Sequence, residues 1–229
     1  MLTQIQKDLK THASPAQAKI FSRFFKTGKG EYGEGDIFLG IKVPNQRIIA
    51  KKHKNAALKD IEKLLHSKYH EHRLTALLIL TYKYPKSEQK NKIINLYLKN
   101  TKYINNWDLV DLSAPKLLGD YLLDKPRDIL YSLAKSKDLW EKRISILTTY
   151  TFIKNHEFQD TLKIAKILLH DEHDLIHKAI GWMLREIGKL DQTLEEKFLQ
   201  KHLKSLPRTT LRYAIERFDE DLRQRYLKA

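Results

Sequence analysis

The residues with the clearest chemical potential are two tryptophans, an aspartate and an arginine. Trp107 and Asp111 lie four positions apart in "NNWDLVDLSAP", a spacing that places both on one face of a helix. Trp182 has the same spacing from Lys178, and Arg143 lies between the two segments. An indole that faces water gains from covering a flat or apolar surface, which the bases and sugars of nucleic acids provide. A nearby carboxylate can stabilise a developing positive charge.

The rest of the chain is strongly basic, which makes this acidic site unusual. The 229 residues include 43 Lys and Arg against 28 Asp and Glu, a net charge of +15. Such an excess predicts a polyanionic partner, with nucleic acid first and an acidic membrane surface second. No apolar run reaches the roughly 18 residues of a membrane span, and "MLTQIQKDLK" lacks a signal-peptide core. We therefore expect a cytoplasmic, nucleoid-associated bacterial protein that is a monomer without an obligate protein partner.

The hydrophobic pattern predicts helices along almost the whole chain. Apolar residues recur every three or four positions in segments such as "RLTALLILTYKY" and "RISILTTYTFI". The sequence contains only 8 Gly and 6 Pro. The pattern shows no alternation of strands with helices, so we do not expect a Rossmann-like sheet. The pattern indicates an all-α protein, which we interpret as one domain over residues 1–229.

A fixed period is superimposed on this helical pattern. The polar residue before each apolar stripe recurs at steps of 35, 35, 35 and 34 residues, at Arg73, Asp108, Arg143, Lys178 and Arg212. This period is typical of an α-solenoid of helical pairs, in which residues at matching register line one groove. Four of the five are cations, as expected for a groove that binds phosphates. The alternative is that they are only solvated residues near helix starts.

Structural roles compete with functional ones at several of these positions. Asn106 can cap a helix whose first turn then contains Asp108, favourably placed against the helix dipole. Asp108 is accordingly interpreted as structural, and Trp140 as a core residue. Asp111 alone could also be structural. Its combination with two tryptophans and an arginine favours a functional site.

The sequence resembles the AlkD family of bacterial DNA glycosylases, alkylpurine enzymes built from HEAT-like repeats. The resemblance covers nearly the whole chain and is most specific in "NWDLVDLSAPKLLGD", "LWEKRISIL" and "IHKAIGWMLREIGK". It implies that Asp111 is the catalytic aspartate, that Trp107 and Trp182 are cleft tryptophans, and that Arg143 is the cleft arginine. "FLGIKVPNQR" is similar to an early family helix that lies against DNA, which places Arg47 at a basic position.

The resemblance also implies an activity. An N3- or N7-alkylated purine is cationic and leaves its sugar readily, so a carboxylate can stabilise the oxocarbenium-like sugar while indoles attract the cationic base. We therefore expect hydrolysis of the N-glycosidic bond of N3-methyladenine and N7-methylguanine in duplex DNA, without a cofactor. DNA contacts are expected from six residues: Arg47, Lys178, Arg185, Arg212, Lys29 and Tyr32.

Residues 26–40, "KTGKGEYGEGDIFLG", depart from the family pattern. The segment is longer than its family counterpart by roughly seven residues, and its glycine-rich alternation predicts a loop or short β-hairpin beside the groove. Its Gly-x-Gly-x-x-Gly lacks the βαβ context of a dinucleotide site. In this respect the chain is similar to AlkF- and AlkG-type relatives, which favour branched DNA and have little glycosylase activity. A non-catalytic or weakly active binder of branched or distorted DNA is therefore the alternative function, and a scaffold for acidic peptides is a third.

Two histidine clusters have spacings that can bring ligands to one side of a helix. "HSKYHEH" contains His66, His70 and His72, and "HDEHDLIH" contains three more. Neither cluster forms His-Glu-x-x-His, and both lie at predicted turns between helices. With 0 Cys in the chain, cysteine-ligated zinc, disulfides and a thiol nucleophile are excluded. We predict no metal site.

Overall fold

A computed structural model describes residues 1–228, which form fourteen α-helices and contain no sheet. The prediction of an all-α protein is confirmed. Three short 3-10 turns and one π-helical segment, Pro115–Gly119, interrupt the helical pattern. The helices are α1 (Leu2–Lys10), α2 (Pro15–Phe24), α3 (Val43–Lys52), α4 (Leu58–Leu65), α5 (His70–Lys83), α6 (Lys90–Lys99), α7 (Trp107–Ala114), α8 (Asp128–Ala134), α9 (Leu139–Lys154), α10 (Gln159–Ile167), α11 (Asp174–Gly188), α12 (Gln192–His202), α13 (Arg208–Ala214) and α14 (Glu220–Lys228).

The periodic register corresponds to the helices as predicted. Its five positions fall on every second helix, namely α5, α7, α9, α11 and α13. At each of these positions a polar residue near the start of the helix precedes an apolar stripe, whether that residue is exposed, as Arg212 is, or buried, as Arg73 is. The prediction of a helical repeat is therefore confirmed.

Residues Met1–Ser113 form a first compact unit. Its centre is α5, against which α3 and α4 pack, while α1 packs on both of them. Leu74, Leu77 and Leu78 of α5 are almost completely buried. At the end of the unit, the Tyr97 hydroxyl of α6 lies 3.1 Å from Ser113 Oγ of α7, and both side chains are buried.

A second compact unit begins at Ala114. Two layers of helices make up its core. In one layer α9 packs on α11 and α11 packs on α13; in the other, α8 and α10 pack on α9 and α12 packs on α11. Isoleucines of both layers are completely buried, including Ile144, Ile164 and Ile180. The prediction of a single domain over residues 1–229 stays a prediction.

Residues 26–40 form a series of turns in which no two strands pair, and their description as an insertion stays a prediction. One isolated bridge joins Ile37 to Tyr69. The end of the segment is fixed to α5, because the buried carboxylate of Glu71 accepts the backbone N–H groups of residues 39, 40 and 41 at 2.8–3.1 Å. Gly40 has a φ of +80°, and a Cβ there would lie 2.1 Å from the Ser14 carbonyl oxygen.

Helix length and polarity also bear on the membrane prediction. Within residues 1–228, every helix is too short or too polar to cross a bilayer.

Candidate functional site

Helix α7 presents Trp107 and Asp111 on one face, as their spacing predicts. Both side chains are half-buried. Asp111 lies close enough to the Tyr97 hydroxyl to affect it. Burial raises the pKa of Tyr97 above its ordinary value, and the negative charge of Asp111 raises it further. The carboxylate of Asp111 therefore lies at the border between the core of the first unit and its surface.

The indole of Trp107 is packed by residues before and within the 26–40 segment. Its ring stacks on Phe25, with centroids 5.4 Å apart and planes at 24°, and meets Phe24 edge-on at 6.0 Å. Its Nε1–H donates to the Tyr32 hydroxyl at 3.3 Å. Trp107 is therefore less open than the sequence predicts, because part of its surface already contacts this chain.

The start of α7 is held by a buried ionic bridge. The His70 ring is 2% exposed, and its two nitrogens lie 3.0 Å from Asp36 Oδ2 and 2.9 Å from Asp108 Oδ2. A neutral imidazole has one N–H and could donate to only one carboxylate, so this geometry requires the imidazolium form. Burial opposes that charge, but the charges and hydrogen bonds of Asp108 and Asp36 outweigh it and raise the pKa of His70 to about 9.

Two further side chains complete the cluster around Asp36. Arg73 Nη2 donates to Asp36 Oδ1, and Asn106 Nδ2 donates to Asp36 Oδ2 at 3.2 Å. Burial alone would raise the pKa of Asp36, but the hydrogen bond from His70 and the charge of Arg73 hold that pKa below its ordinary value. The cluster thus contains two cations and two anions, which compensate one another inside the protein.

This cluster corrects one prediction made from the 35-residue period, namely that its cations line a phosphate-binding groove. Arg73 was predicted to line a phosphate-binding groove, but it is 4% exposed and paired with Asp36. Its position near the helix start serves the packing of the 26–40 segment against α5. Asp108 has a structural partner, as predicted, although that partner is His70 rather than the helix dipole alone. Asn106 Oδ1 accepts the backbone N–H of Trp107 at 2.8 Å, close to the predicted capping role.

Trp182 lies in the second unit, in the middle of α11, and is half-buried. Its Nε1–H donates to Glu186 Oε1 at 3.2 Å, one turn further along the same helix. Glu186 is 4% exposed and also pairs with Lys189 and with Lys154 of α9. Burial would raise the pKa of Glu186, but the hydrogen bond and charge of Lys189 outweigh it and lower that pKa. The indole is therefore oriented by an ionised carboxylate.

Arg143 lies on α9 and is 5% exposed. Its Nη1 donates to the Leu175 carbonyl oxygen, which ties α9 to the first turn of α11. Trp140, one turn earlier, is a core residue as predicted, with 7% exposure. Trp107 and Asp111 belong to the first unit, whereas Arg143 and Trp182 belong to the second. The convergence of all four in one cleft stays a prediction.

The other predicted DNA contacts differ in exposure. Lys29 and Arg212 are exposed, whereas Arg47 and Tyr32 are half-buried. Two more are half-buried and engaged in ion pairs of the second unit: Lys178 with Asp174 at 2.8 Å, and Arg185 with Glu216. Lys178, Trp182 and Arg185 share α11, and this helix packs on α9, which contains Arg143.

The histidine clusters serve the protein's own packing. In the first, His66 lies 2.6 Å from Asn100 Oδ1 and His72 lies 2.9 Å from Ser67 Oγ. In the second, His173 caps α11 by accepting the Leu175 N–H, and His177 bonds to the Asp171 carbonyl oxygen. Across residues 1–228, no group of three or more His, Asp or Glu side chains is arranged to hold a metal ion.

Several residues that shape these sites were missed from the sequence. His70 and Glu71 belong to "HSKYHEH", a cluster whose spacing suggests metal ligands, and Asp36 belongs to the segment that the sequence predicts beside the groove. Their partners lie more than thirty residues away, so local spacing could not identify them. Glu186 is different, because its spacing of four from Trp182 was a signal that sequence reasoning could have used.

Comparison with known proteins places the chain in a family. Residues 5–218 match the family of DNA alkylation repair enzymes. A solved structure described as a predicted DNA alkylation repair enzyme from Enterococcus faecalis is similar in fold, with a TM-score of 0.72 and 17% identity. The similarity covers 91% of this chain and 98% of that chain. A comparison with curated proteins gives no match. Because the family match spans most of its length, the chain belongs to the family of DNA alkylation repair enzymes.

Proposed function

We propose that this repair enzyme is a DNA glycosylase that hydrolyses the N-glycosidic bond of cationic alkylated purines in duplex DNA. Its substrates would be N3-methyladenine and N7-methylguanine. The single observation that carries the proposal is the geometry of α7. Asp111 and Trp107 share one face of this helix, and the bridge from His70 to Asp108 fixes the first turn of the helix. A fixed carboxylate beside an indole suits a reaction in which both the base and the sugar carry positive charge.

In the proposed hydrolysis, Asp111 and the two tryptophans stabilise the charges that develop and orient the attacking water. The glycosidic bond breaks with its electron pair going to the cationic purine, which leaves as a neutral base. Positive charge then develops on the deoxyribose, where the Asp111 carboxylate stabilises it electrostatically. A water molecule oriented by Asp111 attacks C1′ and gives its proton to that carboxylate. Trp107 and Trp182 would add cation–π attraction of about 0.5–2 kcal/mol each.

The phosphate backbone would be held by the basic residues. Lys29 and Arg212 are exposed and can reach phosphates directly, whereas Lys178 would exchange Asp174 for a phosphate. Arg143 would have to share its guanidinium between the Leu175 carbonyl oxygen and a phosphate. The guanidinium's five N–H donors make such sharing chemically feasible. The net charge of +15 supports tight, salt-dependent binding.

Base release tests the proposal directly. Duplex DNA containing N7-methylguanine is incubated with the protein, and the released base is quantified against spontaneous loss. We expect Asp111→Asn to lower the release rate by about 100-fold or more, because the electrostatic stabilisation of the sugar is lost. Asp120→Asn, which changes an exposed aspartate, is the matched control and should retain full activity. No release by the wild type would disprove the glycosylase proposal, and equal release by Asp111→Asn would disprove the role of Asp111.

One observation favours a second candidate, a weakly active binder of branched DNA. The surface of Trp107 that a damaged nucleoside would need is partly covered by Phe25 and Tyr32. In this alternative the 26–40 segment, with exposed Lys26 and Lys29, contacts a DNA junction. Replacing both lysines by glutamine should then weaken junction binding more than duplex binding. Equal losses on both DNAs, measured by anisotropy at one salt concentration, would count against it.

A further inference from the structure

A cleft of about 270 Å³ lies on the second unit between α10 and α12. Its floor is apolar and consists of Leu162, Leu194 and Phe198. Phe198 is 8% exposed and the two leucines are half-buried, so the floor is recessed below the surface. The two helices belong to the layer formed by α8, α10 and α12. The predicted DNA-binding residues of this unit lie in the other layer, on α9, α11 and α13.

Four lysines form the rim of this cleft: Lys163 and Lys166 on α10, and Lys197 and Lys201 on α12. All four are exposed. Elsewhere in the unit cations pair with carboxylates, as Arg127 does with Asp160. Among residues 1–228, none of these four ammonium groups forms an ion pair within 4.0 Å, although the charge of Lys163 helps to lower the pKa of Asp160.

The spacing on α12 shows that the apolar and cationic residues share one face. Leu194, Lys197, Phe198, Lys201 and His202 follow the i, i+3, i+4, i+7, i+8 pattern. The His202 ring lies 4.6 Å from the Phe198 ring. A core-facing stripe would not contain lysines, and a solvated face would not concentrate apolar residues. The pattern suits a surface that is covered by something both apolar and acidic.

The shape of the cleft distinguishes between anionic partners. DNA would neutralise the lysines but leave the apolar floor uncovered. An anionic membrane would require protruding apolar side chains, whereas here they are recessed between two helices. A third helix can insert leucine or phenylalanine into such a cleft while its flanking carboxylates meet the rim. We propose that the cleft between α10 and α12 binds an acidic amphipathic helix of a partner protein.

The proposal is independent of the glycosylase activity, because the layer that carries the predicted DNA contacts stays uncovered. The helix that fits has Leu or Phe at positions i, i+3, i+4 and i+7 and Asp or Glu beside them. Its carboxylates would lie within ion-pairing distance of the two lysines on each side. A repair enzyme with such a site would be linked to another protein without losing access to DNA.

A fluorescent synthetic helix with this pattern, and a scrambled peptide of the same composition, test the proposal. Anisotropy with the full-length protein should show binding of the patterned peptide and at least about tenfold weaker binding of the scrambled one. Lys197→Glu combined with Lys201→Glu, and separately Leu194→Ser, should each weaken binding about tenfold or more. Base release should be unchanged in both variants.

The matched control is Lys135→Glu combined with Lys137→Glu, which makes the same charge change at two exposed lysines of the second unit. This control should keep its affinity within about threefold. Equal binding of the scrambled peptide, equal loss in the control, or no binding by the wild type would overturn the proposal. The proposal would also be overturned if the cleft variants bound duplex DNA or phosphatidylglycerol vesicles more weakly than the wild type but bound the peptide equally well. If Leu194→Ser does not fold, the test rests on the variant that combines Lys197→Glu with Lys201→Glu, because both lysines are exposed.

Discussion

The two tryptophans of the proposed site are positioned in different ways. Trp107 is held by neutral groups from a distant part of the chain, the Phe25 ring and the Tyr32 hydroxyl. Trp182 is held by a buried carboxylate of its own helix, Glu186, which two lysines neutralise. The first indole therefore depends on residues far from it in sequence, whereas the second is held by a carboxylate of its own helix and also lies against the Tyr150 ring of α9, with centroids 6.1 Å apart.

The difference extends to the buried charges behind each indole. In the first unit, Asp36, His70, Arg73 and Asp108 form a cluster that connects the 26–40 segment, α5 and α7. In the second unit, the two cations that pair with Glu186 are Lys189 and Lys154, whose side chains are 41% and 47% exposed. Water can replace a lost partner only in the second case. Damage to the first cluster should therefore cost more.

The largest expected effect is that of His70→Gln on the first unit. Glutamine cannot supply a positive charge, so buried Asp36 would keep only Arg73 as its cation and half-buried Asp108 would lose its ion pair. We expect a loss of about 3–5 kcal/mol in the free energy of unfolding, the cost of removing one partner from a buried ion pair. Chemical denaturation at pH 7 measures it.

The matched control for this variant is His66→Gln, in the same unit. His66 is exposed, and its bond to Asn100 can be replaced by water. Its loss should stay below about 1 kcal/mol. Equal losses in the two variants would show that His70 is no more important to stability than a surface histidine.

The same bridge predicts that stability depends on pH. The pKa of His70 is about 9 in the folded protein and 6.5 ordinarily, so the folded state binds this proton more tightly. Its contribution is fully present below pH 6.5 and is lost as the pH rises to 9. The loss amounts to roughly 3 kcal/mol, and denaturation between pH 6 and 9.5 measures it.

The Glu195 carboxyl also makes the free energy of unfolding depend on pH, so the wild type has to be compared with His70→Gln. Burial raises the pKa of the Glu195 carboxyl to about 9, so the unfolded state loses this proton first and stability also falls above pH 4.5. Subtracting the curve of His70→Gln from that of the wild type isolates the histidine. A difference that does not change between pH 6.5 and 9 would contradict the bridged imidazolium.

A smaller effect is expected from Glu186→Gln in the second unit. The amide oxygen can still accept the Trp182 N–H, but Lys154 and Lys189 lose an ion pair that is partly open to water. We expect a loss of about 1 kcal/mol in the free energy of unfolding. Denaturation followed by tryptophan fluorescence measures both the stability and the environment of the indole.

Tyr32→Phe is the counterpart in the first unit. It removes the hydroxyl that accepts the Trp107 N–H but keeps the ring, so we expect a loss of about 0.5 kcal/mol. If Glu186→Gln costs as much as His70→Gln, the distinction between a buried and a solvated charge cluster is wrong. If Tyr32→Phe raises base release, the 26–40 segment limits access to Trp107.

Much of the fold could be predicted from local pattern. Apolar periodicity identified the helices because a helix must bury one stripe, and the step of about 35 residues placed Arg73, Asp108 and Arg143 on every second helix. The spacing of Trp107 and Asp111 placed them on one face for the same reason. Exposure could not be predicted in this way, because a polar residue near a helix start looks the same whether or not it has a buried partner.

The sequence by itself determined the helical repeat, the excess of positive charge and the face shared by Trp107 and Asp111. Only the tertiary structure decided that Arg73 is buried and that His70 bridges Asp36 to Asp108. It also decided that the 26–40 segment covers part of Trp107. The physical reason is that helix periodicity is set by neighbours within one or two turns, whereas compensation of a buried charge depends on groups brought together from segments more than thirty residues apart.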